Sequence, residues 1–317
     1  MRLRSLKKGR LLPSSVQIVF LGTSGSWPTP KRSVAAVAVK RGPEVILFDC
    51  GEGTQRQFML SKLSFMQVSK VFITHFHGDH FLGLPGMIQS MSMNDRDKPL
   101  HVYGPEGMSK LLVTLVTLGY FAPGFRIDVT EMKGGSSIDF GEYTATSIDA
   151  KHAVPAISYC IEERKRPGRF DKEKALALGI PAGPLFGELQ DGHPVTVDGR
   201  TFTPDLVMGP PRRGRKIVYT GDTEVTPRLI EFAKNCDVLI HDATADSTME
   251  AKANKYGHST AKQAATVAKE CNAKALILTH ISPRYEDAAP ILVEAKAVFE
   301  NSILADDFLE YNVPYSD

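Results

Sequence analysis

Cysteine is scarce and scattered in this 317-residue chain: Cys50, Cys160, Cys236 and Cys271 stand far apart, with no Cys-x-x-Cys pair. That spacing argues against a thiolate zinc site and a disulfide framework, and it fits a reducing cytoplasm. No apolar run approaches the roughly 18 to 20 residues of a membrane-spanning helix. The opening stretch "MRLRSLKKGRLLPSS" carries five Lys or Arg in its first ten residues but lacks the apolar core of a secretory signal. We read residues 1–15 as a basic, solvated tail. A strong charge of one sign is missing too. The formal net charge is only +2, so any polyanion partner must be met by a local basic cluster. What is present, 42% hydrophobic and 23% charged residues, is the makeup of a soluble globular protein with one large domain or two ordinary ones.

Residues 16–80 read as repeated short strands, "VQIVFLG", "SVAAVAVKR", "EVILFDCG" and "KVFITHF", punctuated by Gly, Pro and Ser. Further on, "LHVYG", "ATSIDA", "ISYCIEE", "KIVYTGD", "DVLIHDA" and "ALILTHI" alternate with the helical patterns "EGMSKLLVTLVTLG", "TPRLIEFAKN" and "STAKQAATVAKECN". Several of these strands end on a polar or ionisable residue: Asp49, His75, His152, Asp222, His241 with Asp242, and His280. The expected fold class is α/β, a two-sheet core covered by helices with the chemistry on one rim. Residues 164–216 differ, being rich in Arg, Lys, Gly and Pro, and read as an insertion projecting from the core.

The densest chemistry is "THFHGDH", three histidines and an aspartate within six residues. Alternate residues of a strand share a face, so His75 and His77 are expected side by side, with Asp79 and His80 following from a turn at Gly78. Four donors from so short a segment cannot reach one ion without strain, but they serve two adjacent ions. Imidazole and carboxylate without thiolate suit Zn²⁺ or Mn²⁺ in an open catalytic site. The later strand ends supply His152, Asp222 and His280, with Asp222 the natural bridge. Paired ions of this kind support phosphoryl or acyl hydrolysis, and the ligand set alone does not choose between them.

"THFHGDH" with His152, "TGDT" and "LTHISPRY" resembles the metallo-β-lactamase superfamily. "FLGTSGSWPTPKRS", "FDCGEGTQRQ", "GLPGMIQSM", "GIPAGPLFGELQDG", "HDAT" and "GHST" narrow the resemblance to the ribonuclease Z family, over about residues 16 to 290. The resemblance implies a four-layer αβ/βα sandwich over 16–317 with an inserted tRNA-binding arm at about 164–192. It implies two zinc ions, His75, His77 and His152 on one, Asp79, His80 and His280 on the other, and Asp222 between. Asp79 is then also the proton acceptor, and His258, paired with an acidic residue, protonates the leaving 3′-oxygen. Asp242 stands where the family usually has Glu. The implied activity is removal of the 3′ trailer from precursor tRNA by a cytoplasmic homodimer. Gly183 and Pro184 of the arm, near Arg164, Lys165, Arg166 and Arg169, would grip the tRNA elbow. Arg284 and Tyr285, close after His280, read either as touching a phosphate or stacking near a base, or as packing residues of the last helix. Asp49 is read as support for the ligand histidines; His101, His193 and His241 are read as structural.

Two other functions fit parts of the pattern. A hydrolase of small phosphodiesters or arylsulfate esters would keep the ions and need no arm. A metal-stabilised RNA-binding protein would need no chemistry, and the complete ligand set argues against it.

Overall fold

The computed structural model describes residues 15–315, so the basic tail expected at 1–15 falls almost wholly outside the described residues. Strand alternation builds the body. Ile18 and Phe20 of strand Val16–Gly22 point into one apolar cluster, and Val19 and Leu21 point into another. Val37 and Val39 against Ala36 and Ala38, and Ile46 and Phe48 against Val45 and Leu47, repeat the division in the next two strands. A period of two with both faces apolar means a sheet covered on both sides.

This first sheet has seven strands in the spatial order Glu310–Asn312, Val16–Gly22, Ala36–Arg41, Glu44–Phe48, Val68–Phe72, Leu100–Gly104, Ile127–Glu131. The second, also seven-stranded, runs Ser302–Leu304, Leu276–Thr279, Val238–Asp242, Lys216–Tyr219, Ile157–Glu163, Tyr143–Asp149, Ser137–Asp139. Its strands divide likewise: Ile217, Tyr219, Ile240 and Ile277 join the cluster of Ile18 and Phe20, while Val218, Leu239, Leu276 and Leu278 face the other way. The cluster that both sheets share is the centre of the molecule. Helices Thr54–Leu60, Leu84–Met93 and Met108–Val116 cover one outer face, and helices Pro227–Ala233, Ala261–Glu270 and Ala289–Val298 cover the other. The result is the four-layer αβ/βα sandwich.

Local signals place the helix ends. Thr260 accepts from Gln263 N at 3.2 Å and Gln263 Oε1 accepts from Thr260 N at 2.9 Å, the capping box that the spacing predicts. Gly119 takes a left-handed φ of 77° just past the helix ending at Val116.

The chain between Glu163 and Gly214 packs as a separate unit, and the span 164–192 lies inside it. It has its own small core, with Ala175, Ile180, Leu189, Val195, Phe202 and Val207 buried. It contains helices Lys172–Ala177 and Pro184–Gln190 and a hairpin of Val195–Val197 with Arg200–Phe202. Asp198 and Gly199 turn that hairpin with φ of 49° and 75°, a pairing that the Asp-Gly dipeptide announces.

Candidate metal centre

Strand Val68–Phe72 stops short of the histidines. His75 and His77 lie on irregular backbone beyond it, not on the strand face from which their alternation was expected, and His77 caps the short helix Gly78–Phe81 that carries Asp79 and His80. The segment is clamped. Ile73 N donates to Tyr103 O at 2.8 Å, Thr74 N to Asp49 Oδ1 at 2.8 Å, and Cys50 N to His80 O at 2.7 Å. A side chain at Gly51 would meet the Asp79 carbonyl at 2.2 Å, so the backbones approach as only glycine allows.

The donor atoms of the seven expected ligands converge in two sets, and a third, overlapping group joins Asp222 and His280 to Asp242 and His258. His75 Nε2 lies 3.0 Å from His77 Nδ1, which lies 3.1 Å from His152 Nε2, and Asp222 completes the group. On the other side, Asp79 Oδ2 lies 3.5 Å from His80 Nε2 and 3.4 Å from His280 Nε2. Asp222 Oδ2 reaches both, at 3.6 Å from His75 Nε2 and 3.3 Å from each of His80 and His280 Nε2. All seven expected ligands therefore meet at one place, with the carboxylate of Asp222 in the middle.

The opposite ring nitrogens decide what belongs between them. His152 Nδ1 faces the Gly257 carbonyl at 2.7 Å, which can only accept. His80 Nδ1 meets Asp49 Oδ2 at 2.8 Å, while His75 and His280 place Nδ1 3.0 Å from the hydroxyls of Thr74 and Thr244. With Nδ1 donating, each of these rings turns an Nε2 lone pair toward the other lone pairs and the carboxylates. Buried His80 Nε2 and Asp222 Oδ1 find no hydrogen-bond partner at all. Lone pairs facing one another in a buried site are unfavourable until a cation sits among them. The nitrogen and oxygen donor set fits a divalent metal ion.

Electrostatics point the same way. Burial alone would raise Asp222, but His280, His80 and His258 hold its carboxyl well below the usual range. Asp79 is likewise lowered against its burial by His280 and His80, which favour its anion when their rings are protonated and so stand in for the cation the donor set suits. Both are thus ionised carboxylates, the form a metal ion would require. Three residues here adopt a left-handed backbone: Asp49 and His280 have φ of 54° and 58°, and Ser26, whose N–H donates to Asp79 Oδ2 at 2.7 Å, has 67°. Such conformations cost on the order of 1–3 kcal/mol each and persist where the surroundings over-determine them.

Next to this centre His258 Nδ1 lies 3.2 Å from Asp242 Oδ2, so the shorter aspartate has the reach required. Burial opposes charge on His258, yet Asp222 and Asp242 together push it up to about 9. His241 is fully buried with Nδ1 2.9 Å from the Asp242 backbone carbonyl and 3.1 Å from Asp242 Oδ1, a structural placement. Asp79, Asp222, His258 and His280 line a cavity of about 650 Å³. Arg284 lines it too, its Nε donating to Ser282 at 3.0 Å, whereas Tyr285 turns away to bond Asp246 at 2.9 Å. Gly183, with φ of 148°, and Pro184 open a helix of the separate unit.

Sequence reasoning missed the partners that orient the rings: Thr74, Thr244, Tyr219 (2.8 Å from Asp49 Oδ2), the Gly257 carbonyl and the Ser26 amide. Thr74, Tyr219 and Thr244 stand inside the motifs already quoted. A backbone group leaves no such trace.

Residues 16–161 match the family model described as anti-Pycsar protein Apyc1, and residues 196–281 match the β-lactamase superfamily domain. The chain is 46% identical over 301 residues to the Ribonuclease Z of Methanosarcina acetivorans, covering 95% of this chain and 99% of that one. It is 47% identical over 303 residues to that of Archaeoglobus fulgidus, with the same coverage. It belongs to the ribonuclease Z family. Among solved structures, the human short-form tRNase Z superposes with a TM-score of 0.70 at 29% identity, covering 94% of this chain and 99% of that one. As a ribonuclease Z family member, the chain is an endoribonuclease that hydrolyses phosphodiester bonds. No helix among the described residues is long and apolar enough to cross a membrane.

Proposed function

We propose that the chain removes the 3′ trailer from precursor tRNA, leaving a 3′-hydroxyl on the tRNA. Two zinc ions are the proposed cofactors, with manganese the alternative. His75, His77 and His152 would hold one, Asp79, His80 and His280 the other, and Asp222 would join both. The observation that carries the reading is the pair of donor sets with Asp222 Oδ2 within 3.3–3.6 Å of histidines of both, beside the His258–Asp242 couple, in a chain so similar to proteins named Ribonuclease Z.

Bound there, the ions would lower the pKa of water and offset charge developing on the phosphoryl oxygens. The remaining steps fall to side chains. Asp79, ionised and facing the cavity, takes the proton of the attacking water as the water oxygen bonds to phosphorus. The bond from phosphorus to the 3′-oxygen then breaks, and His258 gives that oxygen its proton from Nε2. Asp242 on Nδ1 keeps the imidazole protonated and oriented. An ion on Asp222 would offset much of that carboxylate's pull on His258, leaving Asp242 as the anion that retains the proton.

The arm at 164–192, with Gly183 and Pro184 on it and Arg164, Lys165, Arg166 and Arg169 at its base, would hold the tRNA elbow by its phosphates. Arg284 would meet a phosphate at the cavity. A homodimer in the cytoplasm, each arm serving the other subunit's substrate, completes the reading by its likeness to the family's short form.

The test is incubation of the metal-loaded chain with a 3′-extended tRNA transcript and mapping of the products. Release of an intact trailer with a 3′-hydroxyl on the tRNA, lost in Asp79→Ala, is expected. No cleavage, with turnover of a small phosphodiester by the same sample, would move the substrate to that smaller class.

A further inference from the structure

Two exposed aromatic rings stand on the wall of the catalytic cavity, and the chemistry so far uses neither. Trp27 is 61% exposed and Tyr256 is 53% exposed, and both line the cavity with His77, Asp79, Asp222 and His258. Large aromatic surfaces left in water forgo burial that would stabilise the fold. Their backbones, by contrast, are fixed. Trp27 N donates to Gly25 O at 2.8 Å, and Trp27 O accepts from Ser24 Oγ at 2.8 Å. A Cβ at Gly25 would meet the His280 ring at 2.5 Å, so the loop bearing Trp27 presses on a metal-site histidine, and its Ser26 amide holds Asp79.

Tyr256 is anchored from the other side. It ends helix Glu250–Lys255, its N–H donating to Ala253 O at 3.0 Å. The next residue, Gly257, gives its carbonyl to His152, and a Cβ there would meet His152 Cα at 2.7 Å. His258 follows at once. Each ring therefore projects into solvent from backbone that also positions the catalytic centre. The same cavity is lined by apolar Ala245, Met249 and Ala253, and exposed Lys252 and Arg284 supply positive charge.

We propose that Trp27 and Tyr256 are stacking platforms for the unpaired nucleotides on the two sides of the cleaved bond, and so set where along a single strand the chain cuts. A rigid aromatic face next to cationic side chains is what binds single-stranded nucleic acid without reading its sequence. A double helix cannot offer its base faces to these rings, so the pair selects an unstacked 3′ end. The proposal rests on the RNA-cleaving reading above and adds the residues that choose the bond.

The experiment uses the metal-loaded full chain and 3′-extended tRNA, in which the nucleotide before or after the junction is made abasic. Removing a base that stacks is expected to raise KM about tenfold in the wild type, within the range a base–aromatic stack supplies. Trp27→Ala or Tyr256→Ala should raise KM similarly and erase the further effect of the matching abasic site, leaving kcat within about threefold. Trp27→Phe should restore most of the loss. Trp27 is the only tryptophan in the sequence, so its fluorescence should be quenched by a short single strand with a non-hydrolysable junction, and not by a duplex of the same sequence. Unchanged KM and cut position in both alanine variants, with wild-type cleavage intact, would overturn the proposal. Should the wild type cut no 3′-extended tRNA, the tRNA reading falls, and the fluorescence arm still decides: quenching by single strands sustains the stacking surface and no quenching overturns it.

Discussion

The sandwich and the unit at Glu163–Gly214 solve opposite problems. In the sandwich, each histidine with a fixed Nδ1 is held by a second contact, and Asp49 alone bonds His80, Thr74 and Tyr219 while itself fully buried. Chemistry on a phosphodiester demands placement within a fraction of an ångström, and a deep core with doubly anchored side chains supplies it. The other unit closes on a core of six buried residues and carries much of its surface as Arg, Lys, Gly and Pro. Contacts with a polyanion tolerate looseness, because charge acts over several ångströms. On the proposed function, precision and reach are thus divided between two regions of one chain.

The sharpest way to break this division is at its centre. Asp222→Ala should lower cleavage about a thousandfold or more, measured by single-turnover kinetics, because the carboxylate close to histidines of both donor sets is lost. Binding of tRNA by that variant should stay within about threefold; a parallel loss of binding would show that the centre and the grip are not separate. The complementary operation removes the unit. Its ends are adjacent, since a Cβ on Gly214 would meet Glu163 O at 2.3 Å, so residues 164–213 are replaceable by a short Gly-Ser link. KM for precursor tRNA should rise on the order of a hundredfold, with turnover of a chromogenic phosphodiester kept.

Smaller changes sharpen the contrast. Asp49→Asn should reduce metal affinity by about 10- to 100-fold without touching an ion, because it weakens the bond that orients His80; metal titration by calorimetry reads this directly. Away from the site, Glu44 binds Lys70, Ser69 and Tyr143, and these partners lower its pKa against its burial. A lowered folded pKa means the stabilisation is complete above the ordinary carboxylate value of about 4.3 and is lost as pH falls through the lower folded value. Glu44→Gln should therefore cost about 1–2 kcal/mol near neutral pH. In denaturant titrations the difference from wild type should shrink on acidification, and cleavage at neutral pH should be unaffected.

The same division governs what the sequence reveals. Apolar alternation such as Ile18 and Phe20 against Val19 and Leu21 is a periodic signal, and it yields the layers. His75, His77, Asp79, His80, His152, Asp222 and His280 stand out because each donor follows a strand and is of a type rarely placed there without cause. Their convergence on Asp222, by contrast, is a three-dimensional fact. The supports from the Gly257 carbonyl and the Ser26 amide are backbone groups, identical in every residue type, so no motif marks them. Strands Ser302–Leu304 and Glu310–Asn312 also escaped notice. Each is three residues long at a sheet edge, too short for a period to register, and gains its structure from pairing with a distant strand.

The most direct test of the account is the metal dependence of cleavage, measured with the number of ions bound. The chain is freed of metal with a chelator, reloaded with Zn²⁺ in steps, and assayed on 3′-extended tRNA while bound zinc is counted by atomic emission. The account predicts no cleavage without metal, recovery that follows filling of both donor sets, and a plateau near two ions per chain. Undiminished cleavage by the metal-free chain would contradict it.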